Sequence, residues 1–117
     1  MENLIFFIKY FVVKNRQAHW LSLTSGKWDK FPLKIDKIEK HLNERCVLIE
    51  KNISEEFSHF IDKKNIRHGF YFDRYLCNER LSPVTFEQIH DDSILVCPDS
   101  KVAFYFHHDG WMWYCCV

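Results

Sequence analysis

The chain has little of the residue that tight phosphate-binding loops and strained turns require: only three glycines, with three prolines, in 117 residues. No Gly-rich phosphate loop, no Gly-x-Ser-x-Gly nucleophile elbow and no His-Glu-x-x-His zinc helix can be read in it. Charge of one sign is lacking too. Lys plus Arg and Asp plus Glu number 16 each, so the formal net charge is zero. Binding through non-specific phosphate contacts calls for a basic excess, so direct nucleic-acid binding is not expected. Neutrality gives little protection against self-association and leaves a weak homodimer open. The apolar stretch from Leu4 to Val13 is interrupted by Lys9. It is about half of the ~20 residues a membrane helix needs, so no membrane partner is expected. It follows the acidic start Met1-Glu2-Asn3 and has no small-residue cleavage site, unlike a secretory signal.

Metal-ligand spacing is also missing. The seven histidines and five cysteines contain no Cys-x2-Cys or His-x3-His pair, so neither a metal nor another cofactor is expected. His107-His108 and Cys115-Cys116 are adjacent, and adjacent side chains on a strand point to opposite faces. The cysteines (Cys46, Cys77, Cys97, Cys115 and Cys116) are odd in number and sit among apolar neighbours. They read as reduced, buried thiols of a cytoplasmic protein.

What the chain does have is aromatic mass: 11 Phe, 5 Tyr and 4 Trp. With 47% apolar and 27% charged residues, this length suits one α+β domain spanning residues 1–117. Leu4 to Val13 is β-branched and aromatic and reads as a strand, His19 to Leu23 as a second, and Lys27 to Ile35 as a third. Asp36 with Glu39 has the spacing of a capping box before a short helix. Arg45 to Ile49 follows as a strand. Ser54, with Glu55 and Glu56, is the expected cap of a helix whose Phe57, Phe60 and Ile61 form an apolar stripe. Phe70 to Cys77 reads as a strand, Leu81 to Pro83 as a break, and Thr85 with Gln88 as the cap of one helical turn. The strongest signal comes last. Ile94 to Cys97, the turn Pro98 to Ser100, Val102 to Phe106, the turn His107 to Gly110, and Trp111 to Cys116 make an aromatic β-hairpin region. Asp109-Gly110 between two apolar runs is its turn signature. The expected fold is therefore mainly an antiparallel sheet with two or three short helices.

The hairpin also carries the candidate binding residues. Tyr105, Trp111 and Trp113 are rigid aromatic anchors of the type enriched at interface centres. Glu87, Asp91, Asp92, Asp99 and Asp109 lie near it in sequence, and a local negative field steers a basic partner. Asp91, Asp92, Asp109, Tyr105, Trp111 and Trp113 are thus the expected partner-binding set, with no catalytic residue among them.

In size and motif-free α+β character, and in the segment Ser100 to Tyr114, the chain resembles the small cytosolic immunity proteins of bacterial polymorphic and contact-dependent growth inhibition toxins. The resemblance implies a one-to-one complex with a cognate toxin domain and no catalysis. Inhibitors of basic nucleases are commonly acidic, whereas this chain is neutral, which leaves the toxin class open. The alternative is a small histidine-dependent hydrolase or nuclease, with His19 and His107 converging near Lys9 or Lys101, or with Cys97 paired to His90. That alternative expects histidines gathered in one cleft beside Lys, Arg or a carboxylate. The binding reading expects them scattered, with an exposed tryptophan beside the acids.

Overall fold

Five antiparallel pairings, each between strands of alternating or unbroken apolar character, produce one six-stranded sheet in the order β1-β6-β5-β4-β2-β3. The strands are Cys46–Ile49 (β1), His68–Asp73 (β2), Arg80–Pro83 (β3), Ser93–Cys97 (β4), Val102–Phe106 (β5) and Met112–Cys116 (β6). The computed structural model describes residues 2–24, 30–73, 80–83 and 91–117. Among the described residues four α-helices accompany the sheet: Glu2–Phe11 (α1), Lys14–Thr24 (α2), Phe31–Lys34 (α3) and Ile53–Lys63 (α4). A 3₁₀ helix, Ile35–His41, continues α3. The α+β architecture and the C-terminal aromatic hairpin are as expected. Among the described residues no helix is long and apolar enough to cross a membrane.

Every residue of β4 and β5 is buried. The reason is that both sheet faces are covered, which turns an alternating strand into a continuous apolar run. Cys46, Phe72, Ile94, Val96, Ala103, Tyr105 and Cys115 point to one face and join Leu4, Phe7, Phe11, Trp20, Phe31 and Ile38 from α1 to the 3₁₀ helix. Tyr71, Leu95, Val102, Phe104, Phe106 and Met112 point to the other and meet Phe57 of α4 and Ile66. Phe60 stacks on Tyr114 at 3.9 Å with ring planes 8° apart. The Phe57, Phe60, Ile61 stripe does what its spacing implies.

The expected N-terminal meander is not there. Leu4 to Phe11 is helix α1, and His19 to Leu23 lies in α2. Leu4, Phe7, Ile8 and Phe11 fall at i, i+3, i+4 and i+7 and are all buried, so one helical stripe packs onto the sheet and outweighs β propensity. The polar Lys14 to Gln17 stretch opens α2 rather than separating strands. Gln17 donates from Nε2 to the Lys9 and Val12 carbonyls at 3.2 and 3.0 Å, capping the end of α1. Phe31 to Ile35 is helical, and Lys27 to Asp29 lie outside the described residues. Ser54 is not the cap of α4. Asn52 holds that position at φ 55°, with no side-chain cap bond, and Ser54 sits inside the first turn. Leu81 to Pro83 forms the edge strand β3 instead of a break, a place where a proline without an N–H is tolerated. Phe70 to Asp73 belongs to β2, while the rest of that expected strand and the Thr85–Gln88 turn lie outside the described residues.

Candidate functional site

The register of three strands assembles a cluster of histidines and carboxylates at the end of the terminal hairpin. Ser93 of β4 pairs with Phe106 of β5, and Phe106 pairs with Met112 of β6. Asp92, His107 and Trp111, each one residue beyond those pairs, are therefore brought side by side. The turn closes with hydrogen bonds from His107 N to the Trp111 carbonyl (2.9 Å) and from Gly110 N to the His107 carbonyl (3.1 Å). Gly110 has φ +99°, which a residue without Cβ adopts freely. The Asp109-Gly110 turn reading is correct.

Glu39, from the middle of the 3₁₀ helix, reaches across to this turn. Its Oε1 accepts the indole N–H of Trp111 and that of Trp113, the latter at 2.9 Å. Its Oε2 lies 3.2 Å from His107 Nε2. The Asp109 amide donates to His107 Nδ1 at 3.0 Å, so the ring proton sits on Nε2, facing Glu39. Three donors thus share one largely buried carboxylate, whose side chain is 18% exposed. Nothing local in the sequence announces this. Glu39 is 72 and 74 positions from the two tryptophans it holds.

The His107 ring lies flat between neighbours, 4.4 Å from Trp111 at 7° and 4.1 Å from His108 at 29°. The argument from strand alternation fails for this pair because both residues lie in the turn, past the end of β5. His108 Nδ1 is 3.0 Å from Asp92 Oδ1, which also accepts the His108 backbone N–H at 3.3 Å. The hydrogen bond to Asp92 raises the His108 pKa, aided by the charges of Asp92, Asp109 and Asp36 and opposed by partial desolvation. Asp92 is 1% exposed and has φ 55°.

The expected partner-binding set is divided by the structure. Asp91 and Asp109 are exposed, while Trp111 and Trp113 are half-buried with their N–H groups turned in to Glu39. Tyr105 is fully buried and donates its hydroxyl to the Ile35 carbonyl at 3.2 Å, so it supports the site from the core. Asp92 is buried and holds His108. Asp99 sits in the β4–β5 connection at the opposite end of the hairpin, and Glu87 lies outside the described residues.

Two histidines gather beside carboxylates and are not scattered as the binding reading expects, but they are not the pairs named for a histidine enzyme. His107 and His108 meet beside carboxylates, but Lys101 is at the far end of β5, about 20 Å along the strand. His19 is exposed on α2 beside Trp20, and Lys9 is exposed in the last turn of α1. Burial pushes the Cys97 thiol up to about 12, with Asp99 contributing, which makes it inert packing rather than a nucleophile. His90 lies outside the described residues. No family model, curated protein or solved structure matches the chain.

Proposed function

We propose that the chain is a stoichiometric protein-binding inhibitor, of the immunity-protein kind, which neutralises a cognate bacterial toxin domain in the cytoplasm by covering its active site or substrate surface. The observation that carries this reading is the rigid, acidic and aromatic end of the hairpin. Asp91 and Asp109 are exposed at the end of the hairpin that carries Trp111 and Trp113, two half-buried indoles whose N–H groups are held by Glu39. Anchors fixed before binding lose little entropy on docking, and a rim of carboxylates accelerates encounter with a basic surface.

The histidine-dependent hydrolase is the second reading, favoured by the Asp92–His108 pair, in which a buried carboxylate orients an exposed imidazole. Two facts weigh against it. Both ring nitrogens of His107 already have partners. The charges acting on His108 are all acidic, so a phosphodiester approaching it meets carboxylates where catalysis of its cleavage requires cations.

Purification of the untagged chain from its native host, with identification of what co-elutes, tests the proposal. A stable one-to-one complex with a cytotoxic protein is expected, and Asp91→Lys combined with Asp109→Lys should slow its association at low salt and weaken it at least tenfold. A clean monomer that turns over phosphodiester substrates, with turnover abolished by His108→Ala, overturns it.

A further inference from the structure

We infer that Asp92, His107 and His108 form a binding site for one divalent transition-metal ion of the zinc type, at the solvent-facing end of the hairpin. Two imidazoles and a carboxylate are a donor set that suits zinc and its neighbours and is poorly matched to magnesium or calcium, which prefer all-oxygen shells. One ligand atom from each of the three residues lies within 4.8 Å of the other two. His108 Nδ1 and Asp92 Oδ1 are already 3.0 Å apart. Ligands bonded at ~2.0–2.1 Å in a tetrahedral site stand roughly 3.3 Å from one another, so this edge is nearly formed.

A second observation lies behind the ligands. A metal-bound histidine commonly donates its other ring N–H to a carboxylate, which fixes the tautomer and aims the lone pair at the ion. His107 has this arrangement: Nε2 faces Glu39 Oε2 at 3.2 Å, and Glu39 is itself held by two indoles. The lone pair is therefore on His107 Nδ1. On the outer side, His108 Nε2 is 3.6 Å from Asp109 Oδ1, too far for a hydrogen bond.

In the structure, hydrogen bonds fill these positions. The His108 ring pairs with Asp92, and the Asp109 amide donates to His107 Nδ1. Binding exchanges both for metal–ligand bonds and opens the 29° angle between the stacked rings so that their lone pairs converge. The turn has space for this. His108, Asp109 and Gly110 are exposed, and nothing lies within 4 Å of a Cβ added at Gly110. Three protein donors leave a fourth position facing solvent, within reach of Asp109 or of a partner's side chain.

The test uses chelator-treated, tag-free protein titrated calorimetrically with zinc chloride and, separately, magnesium chloride. One zinc per chain is expected, with no saturable magnesium binding and a rise in Tm of several degrees under excess zinc. His108→Ala and Asp92→Asn should each weaken zinc binding at least tenfold. Because Asp92 is buried, an unfolded variant is recognised by circular dichroism. The wild-type imidazole NMR spectrum then serves as the second readout, since only the His107 and His108 ring resonances should shift. Absence of one-to-one binding overturns the inference, as does binding that perturbs any of the other five histidines instead. Either failure leaves the partner-binding proposal standing, because that proposal rests on the rim acids and indoles.

Discussion

Removing the Glu39 carboxylate should destabilise the protein more than any other single change at the hairpin end. Glu39→Ala leaves three N–H groups without their acceptor: the indoles of Trp111 and Trp113 and Nε2 of His107. A hydrogen bond to a charged group contributes about 1.5–3 kcal/mol net. Water replaces part of this at the two half-buried indoles and little at His107, whose side chain is 9% exposed. The expected loss is about 2–4 kcal/mol, or a fall in Tm of roughly 8–16 °C for a chain of this length.

Glu39→Gln separates charge from geometry. Its carbonyl still accepts both indoles, but its NH₂ meets the His107 N–H, donor against donor. His107 cannot relieve this by changing tautomer, because the Asp109 amide needs Nδ1 as acceptor. A loss of about 1–2 kcal/mol is expected, smaller than for alanine. Urea unfolding followed by circular dichroism measures all three proteins, and a cycle with Trp113→Phe isolates one bond. Coupling of at least about 0.5 kcal/mol is expected. An alanine variant within about 0.5 kcal/mol of wild type, or a cycle showing no coupling, would refute Glu39 as the clasp between the 3₁₀ helix and the hairpin.

Three further outcomes follow from the packing. A Cβ at Gly69 would stand 2.9 Å from Leu95 Cδ1 and 3.0 Å from both the Val96 carbonyl and Cys97 Sγ. Gly69→Ala should therefore cost about 1–3 kcal/mol by urea denaturation, and a neutral result would show that β2 and β4 can separate freely. Burial, then Arg16, His19 and Lys40, lower the His41 pKa, and Trp20 Nε1 donates to its Nδ1 at 3.1 Å. The unfolded chain then binds the proton more readily, so His41 contributes stability above about pH 6.5 that is lost as pH falls through and below that value. Tm should drop more steeply from pH 7.5 to 5.5 in wild type than in His41→Gln, and equal slopes would contradict this. Of the four described cysteines, Cys46, Cys97 and Cys115 are buried and only Cys116 is half-buried. Burial raises the Cys97 thiol to about 12 and Cys115 well above the usual range, so peptide mapping after brief alkylation at pH 8 should find Cys116 modified ahead of Cys46, Cys97 and Cys115; prior labelling of Cys97 or Cys115 would mean that the sheet opens readily.

The parts of this fold that can be read from sequence are those fixed by neighbours along the chain. Asp109-Gly110 demands a turn, Val102 to Phe106 and Met112 to Cys116 fit pleated surfaces, and Phe57, Phe60 and Ile61 define a helix face. The N-terminal helices were legible in principle, since Leu4, Phe7, Ile8 and Phe11 have helical spacing. Their β-branched and aromatic chemistry obscured it, because such side chains serve equally well wherever one face is buried. Trp20 and Leu23 are the buried residues of α2, too sparse a stripe to be recognised without the sheet beneath it. The cluster at the hairpin end is different in kind. Asp92 reaches His108 only through the pairing of Ser93 with Phe106, and a one-residue slip of β4 would reverse its direction. Glu39 reaches the turn only because α3 and the 3₁₀ helix pack over β5, with the Tyr105 hydroxyl bound to the Ile35 carbonyl. Such a site is a property of register and layer packing, so the same residues in a chain with another strand order would carry no function here. That dependence is also why the Glu39 substitutions discriminate so well. They sever the carboxylate clasp, one of the contacts that tie the segment whose structure the sequence concealed to the hairpin it disclosed.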